Sequence, residues 1–191
     1  MAVTEWNVSG GDFGVMRAKF RTLETALLNA RYLNLLMRHC DKVDLACRSN
    51  MANSLGSGII ETTPSGLLKR PSFYAMGLYA RHAKPVPWNV KSSTDGLDMF
   101  AGGSEDGKTA VLFAVNSRSE PVECSFGFDA WADGASIVSA EALCDTLDAR
   151  QPDVMNHWSA PERVKIIPLS FVQNKLVLPA LSAAAIECKA R

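Results

Sequence analysis

The sequence predicts an α+β chain in which the closing βα units of an eightfold βα barrel are followed by an antiparallel β-sandwich. Three observations predict it. Up to about Ala83 short extended pieces alternate with helix-period segments, and after Pro87 the pattern changes to many short strand-like runs. Charge changes sign at the same place: residues 1–85 hold 11 basic and 6 acidic side chains, residues 86–191 hold 9 basic and 14 acidic. The expected division is therefore 1–87 and 88–191. Opposite charge on the two parts would favour their docking, although surface pairs contribute little individually.

Met1–Asn7 (MAVTEWN) reads as a strand whose beginning is missing. From Phe20 to His39, apolar groups at Phe20, Leu23, Ala26, Leu27, Ala30, Leu33 and Met37 form one broad helical face, with Thr22 available as N-cap. Val43–Ser49 (VDLACRS) reads as a second strand. Pro71 suits the first position of a second helix through Arg81, because its missing N–H costs nothing there; Pro85 and Pro87 stop that helix. Strand, helix, strand, helix requires parallel strands joined by crossovers, and the closed form of such an array is the eightfold barrel of roughly 250 residues. Two units cannot close it. Each helix is therefore expected to bury its apolar face on the sandwich, on a second copy of the chain in a homo-oligomer, or on both. Beyond Pro87, strand-like runs occupy Leu97–Phe100, Thr109–Val115, Val122–Phe128, Ala135–Leu143, Val164–Leu169, Lys175–Leu178 and Ala184–Lys189. Gly102-Gly103, Asp106-Gly107, Asp133-Gly134 and Asn174 punctuate them.

Composition narrows the function. The 191 residues are 47% hydrophobic and 21% charged, with Lys+Arg 20 balancing Asp+Glu 20. No basic excess exists to neutralise phosphates, so nucleic acid is not expected as a partner. No polybasic run addresses an anionic membrane, and apolar stretches such as Ala110–Val115 fall far short of the ~20 residues of a spanning helix. Residues 1–30 lack the layout of a signal peptide, which points to the cytoplasm. Cys40, Cys47, Cys124, Cys144 and Cys188 are scattered without a CxxC pair. They are expected as free, mostly buried thiols, and neither they nor His39, His82 and His157 have metal-ligand spacing.

Chemistry is suggested at the two strand ends. Thr4-Glu5-Trp6-Asn7-Val8 places a carboxylate at the C-terminal tip of the first strand, where barrel enzymes carry their catalytic groups. The stretch resembles the E-W-N signature around the nucleophile of the α-L-arabinofuranosidases of glycoside hydrolase family 51. The likeness continues through Ala26, Ala30, Leu33-Asn34, Arg38-His39, Asp41 and Val43, then Ala46 to Asn53, and returns in Asn156, Pro161, Val164 and Leu178-Pro179…Ser182. It spans nearly the whole chain in order.

The resemblance implies the end of a catalytic barrel followed by a C-terminal β-sandwich of jelly-roll type. It also implies a retaining hydrolase acting on terminal α-L-arabinofuranosyl groups of arabinose-containing polysaccharides, with no metal or organic cofactor. By carry-over Glu5 is the nucleophile. Asn7, two residues on and so on the same side of a regular strand, would orient it or touch substrate. Asn50 falls where the family commonly has a substrate-touching glutamine, and Ser9 where many members have a sugar-packing tryptophan. Retention needs two carboxyl groups ~5–5.5 Å apart, one ionised and one protonated. The family's acid/base glutamate lies on an earlier strand, and neither Glu24 nor Glu61 has a matching motif, so the 191-residue chain alone is expected to be inactive. The competing reading is a non-catalytic sandwich module that stabilises the barrel or docks glycan. Duller roles remain open for Trp6, Trp88, Trp131 and Trp158 as packing residues, for His39 and His82 as partners of helix dipoles, and for Asn50 and Asn53 as loop caps.

Overall fold

The computed structural model describes residues 1–8, 19–54 and 58–191. The elements run β1 (Ala2–Trp6), α1 (Leu23–Arg38), β2 (Leu45–Arg48), β3 (Ile60–Thr63), β4 (Gly66–Lys69), α2 (Pro71–His82), β5 (Val86–Trp88), β6 (Leu97–Gly103), β7 (Thr109–Asn116), β8 (Val122–Ser125), β9 (Ala135–Asp145), β10 (Val164–Pro168), β11 (Phe171–Val172), β12 (Lys175–Leu178) and β13 (Ser182–Ala190). The described chain is thus mostly β with two helices. Thr22 caps α1: its Oγ1 accepts from Thr25 N at 3.4 Å and donates to the Lys19 carbonyl at 2.7 Å. Pro71 opens α2, as its fixed φ allows.

β1 and β2 pair in parallel, as the strand–helix–strand alternation requires. β3 and β4 form an antiparallel hairpin that the sequence pattern does not announce, and Glu61 lies in its first strand. Six strands make one antiparallel sheet in the order β10-β9-β13-β7-β6-β5, and three more make a second, β11-β12-β8. Each of the seven strand-like runs coincides with a strand to within a few residues; β5 and β11 are additions. Pro87 ends the helical pattern yet lies inside β5, where an edge strand tolerates the lost N–H. Trp88 of β5 lies over Gly103, and a Cβ there would collide with the indole. Gly107 takes φ +68° in the β6–β7 turn, a backbone state open to glycine at little cost.

Two apolar clusters fill the fold. One lies between the helices and the six-stranded sheet and joins Leu23, Ala26, Leu27, Ala30, Ala75, Leu78 and Tyr79 to Phe100, Val111, Phe113, Val115, Leu143 and Ala185. The other lies between the two sheets, from Ile137, Ala142, Ala184 and Ile186 to Val122, Leu176 and Leu178. Both helices thus bury their apolar faces on the six-stranded sheet, one of the expected outcomes. Tyr79 stacks on Phe113 with centroids 4.1 Å apart at 8°. Its hydroxyl lies 2.6 Å from Asn34 Oδ1 and 2.9 Å from the Ala30 carbonyl oxygen, and full burial holds the phenol well above its ordinary pKa. Asn34 Nδ2 donates to Asp98 Oδ1 at 2.7 Å, and Arg38 pairs with the same carboxylate at 3.1 Å. Arg38–Asp98, Arg81–Glu141 and the two His82 contacts all join a base before residue 86 to an acid after it, in the sense the charge split implies.

All five cysteines are free, but Cys144 and Cys188 alone are fully buried; Cys40 and Cys47 are exposed. The expectation of mostly buried thiols fails because Cys40 sits in the turn after α1 and Cys47 on the outward side of β2. No helix among the described residues is long and apolar enough to cross a membrane.

Candidate functional site

The C-terminal ends of β1 and β2 lie together, with Trp6 opposite Arg48 and Ser49 N bonded to the Trp6 carbonyl at 3.0 Å. Glu5 is one residue from the end of β1 and exposed, and it has no hydrogen bond or ion pair among the described residues. A register shift between Val3 and Trp6 puts an extra residue into β1, so strict alternation is broken across Thr4 and Glu5.

Asn7 is half-buried. Its Oδ1 accepts from Val8 N at 2.8 Å and from Arg48 Nη2 at 3.4 Å, while Nδ2 is buried and has no acceptor among the described residues. Arg48 was not singled out by sequence, although it lies inside the matching stretch from Ala46 to Asn53. Burial pushes its guanidinium pKa down to about 10. Asn50 follows on an exposed loop in the left-handed region, φ +59°, and its carbonyl accepts from Arg48 Nη1 at 3.3 Å. Arg48 therefore touches both asparagines assigned to substrate. Ser9 lies outside the described residues.

Trp6 is buried and tilts at 42° against Tyr32, 5.0 Å between centroids, which makes it a packing residue. Asn53 anchors the loop: φ is +52°, its Nδ2 donates to Thr62 Oγ1 at 2.7 Å, and its Oδ1 accepts from Thr62 N at 2.8 Å. Glu24 is exposed in the first turn of α1, where a carboxylate suits the helix dipole. Glu61 pairs with buried Arg70 and, at 3.5 Å, with Arg21. Burial, and next the charge of Arg21, lower Arg70 to about 10. Glu61 is thus engaged by two guanidiniums, whereas a general acid must be free to give its proton to a leaving group. Arg21 stands just before the N-cap of α1, and Arg70 is itself the N-cap of α2.

Two cavities lie away from these residues. One of about 310 Å³ is lined by Cys144–Thr146, Asp148, Arg150 and Pro179–Leu181, among others. A shallower one of about 600 Å³ lies over β8, β11 and β12. Neither includes Glu5, Asn7 or Asn50. Trp88 and Trp131 pack edge to face at 5.1 Å, with Trp131 Nε1 donating to the Gly107 carbonyl, whereas Trp158 is exposed beside Gly66. No cluster of three or more His, Cys, Asp or Glu with metal-binding geometry occurs among the described residues.

The family described as "Alpha-L-arabinofuranosidase C-terminal domain" matches residues 4–182. The chain belongs to this family. Among solved structures, the family 51 arabinofuranosidase of Thermotoga petrophila RKU-1 is similar over 97% of the chain and 42% of its own length, with TM-score 0.76 and 21% identity. The AbfB enzyme of Bifidobacterium longum, also of family 51, gives 0.69 and 22% over 88% of the chain and 35% of its own. A family 30 xylanase, Xyn30A of Clostridium acetobutylicum, gives 0.63 and 15% over 100% of the chain and 42% of its own. Such identities establish shared fold alone. The chain spans about two-fifths of the length of these enzymes. No curated protein sequence matches it.

Proposed function

We propose that the chain is the C-terminal part of a retaining α-L-arabinofuranosidase. In this reading β1, α1, β2 and α2 are the last βα units of its barrel and residues 88–191 its jelly-roll sandwich. Glu5 is the nucleophile, with Asn7 and Asn50 on the substrate. The observation that carries the reading is the placement of Glu5: a carboxylate with no partner among the described residues, near the C-terminal tip of a parallel strand, inside the family match.

The chemistry follows from that placement. A Glu5 carboxylate oxygen attacks the anomeric carbon of an arabinofuranosyl group and forms a glycosyl ester. The bond to the leaving oxygen breaks as a second carboxyl gives that oxygen its proton. Water, deprotonated by the same second group, then cleaves the ester. Arg48, bonded to Asn7 Oδ1, fixes the amide so that Nδ2, which has no acceptor among the described residues, is left to donate toward a sugar hydroxyl. The second carboxyl is not Glu61, which Arg21 and Arg70 hold.

The test is release of an aryl leaving group from an aryl α-L-arabinofuranoside. A polypeptide joining this chain to the earlier strands of a family 51 barrel, those that precede the nucleophile strand and carry the acid/base, should turn over. Glu5→Gln in it should lose at least ~10³-fold in kcat while still binding substrate, because the amide cannot form the ester. The 191-residue chain alone should be inactive, since absence of a general acid costs ~10²–10⁴-fold before lost positioning is added. Undiminished turnover in Glu5→Gln removes Glu5 from the role. The second reading, a module that stabilises the barrel, is favoured by the burial of both helices on the six-stranded sheet. It would stand alone if Glu5→Gln had no effect.

A further inference from the structure

We propose that His82 is a pH-sensitive latch that fastens the last turn of α2 to the six-stranded sheet. The register of β9 and β13 sets the place. Glu141 stands opposite Ala185 and Ser139 opposite Glu187, so with a period of two Glu141 and Glu187 are diagonal neighbours on one sheet face. It is the face that meets the helices, since Ala185 belongs to the apolar cluster under α1 and α2. Two carboxylates so placed repel unless a cation enters between them.

His82 enters there. Its side chain is 16% exposed, Nδ1 lies 3.0 Å from Glu187 Oε1, and Nε2 lies 2.8 Å from Glu141 Oε1. A neutral imidazole has one N–H and one lone pair, so one of these contacts would set a lone pair against a carboxylate oxygen. The geometry is that of the imidazolium, which donates from both nitrogens. Arg81 Nη2 adds a contact of 2.6 Å to the same Glu141 oxygen, and Ser139 Oγ donates to Glu187 Oε2 at 2.9 Å. The His82 bond, against partial burial, and then Ser139, His82's charge and Lys84 hold Glu187 below the usual carboxylate range. Burial raises Glu141, but the bonds from Arg81 and His82 outweigh it and hold that group low as well. Of the other charged groups on the elements against α2, Lys165 of β10 pairs with Glu162, Arg38 of α1 with Asp98 and Asp145 of β9 with Arg163, while Glu24 and Arg31 of α1 and Lys189 of β13 make no ion pair with His82, Glu141 or Glu187.

The carboxylates therefore stay ionised on the acid side of neutrality, and loss of the His82 proton is what opens the latch. The turn it releases leads directly to β5, the strand by which the helical part enters the sheet. The device is independent of catalysis at Glu5.

A double-mutant cycle in urea unfolding, run at pH 6 and pH 9, tests it. The four chains are wild type, His82→Gln, Glu141→Gln/Glu187→Gln, and the triple variant. The coupling between His82 and the two glutamates should change the unfolding constant about tenfold at pH 6 and less than twofold at pH 9. Equal coupling at both pH values, or none at pH 6, overturns the latch. If a variant does not fold, wild-type ¹⁵N spectra decide. Both His82 ring nitrogens should carry protons at pH 6. Amides of residues 79–83 should then exchange faster at pH 9 by more than base catalysis alone predicts. A singly protonated ring at pH 6, or exchange that tracks base catalysis, overturns it.

Discussion

From Pro71 onward the buried polar side chains have partners. Asn156 donates to the carbonyls of Lys69 and Val164 and accepts from Val164 N; Asn116 donates to the carbonyls of Glu120 and Pro179; Asp145 takes Leu147 N, Ala149 N and Arg163. Before Pro71 the contrast is plain. Trp6 Nε1, Asn7 Nδ2, Arg21 Nε, Asn29 Oδ1 and two nitrogens of Arg70 are buried without a partner among the described residues. The strands differ in the same way. The antiparallel sheets have six and three members and share a core, whereas β1 and β2 are a parallel pair of two, and parallel strands ordinarily occur inside larger sheets covered on both faces. Residues 71–191 satisfy themselves. Two of the buried atoms before Pro71, Trp6 Nε1 and Asn7 Nδ2, lie at the β1–β2 end, which carries Glu5.

The largest effect expected is in the self-satisfied part. Phe113 is fully buried and stacked by Tyr79, so Phe113→Ala should cost about 3–5 kcal/mol, read as a fall in the urea midpoint. A loss below about 1 kcal/mol would mean that the helices are not locked onto this sheet.

Next comes Asp145. Burial raises its carboxyl, but Arg163 and the amides of Ala149 and Leu147 together hold it below the ordinary range. A depressed native pKa contributes stability above the unfolded value, near 3.9, and that stability is lost as pH falls through the native value. Asp145→Asn should thus cost about 2 kcal/mol at pH 7, and the gap from wild type should narrow below about pH 4. A gap that is constant with pH would show that charge has no part in holding this loop.

The smallest effect belongs to Glu5. With no bond or ion pair among the described residues, Glu5→Gln should change stability by less than about 0.5 kcal/mol in the isolated chain. Thermal unfolding measures it. A large destabilisation would turn Glu5 into a structural residue and sharpen the comparison against a functional end.

Local signals carried much of this structure. Thr22 before an apolar face at helical spacing marked α1 to within a few residues, because a cap and an amphipathic stripe are properties of neighbours in sequence. Pro71 did the same for α2. The seven strand runs were readable from alternation and turn residues, and the parallel pairing of β1 with β2 from the helix between them. Glu5 near a strand end was legible too, since that is a local fact.

Tertiary structure decided what depends on distant partners. The β3–β4 hairpin has too few residues and too mixed a pattern to announce itself; it is held where Ile59 and Ile60 bond the Met51 carbonyl and Asn53 bonds Thr62. That Glu61 is bound to Arg21 and Arg70, that Arg48 grips Asn7, and that His82 joins Glu141 to Glu187 are contacts across 9 to 105 residues of sequence. Periodicity says which way a side chain faces along its own strand or helix. What it then meets is set by how sheets and helices stack, and that is where an ion pair, a latch or a catalytic pair is made or denied.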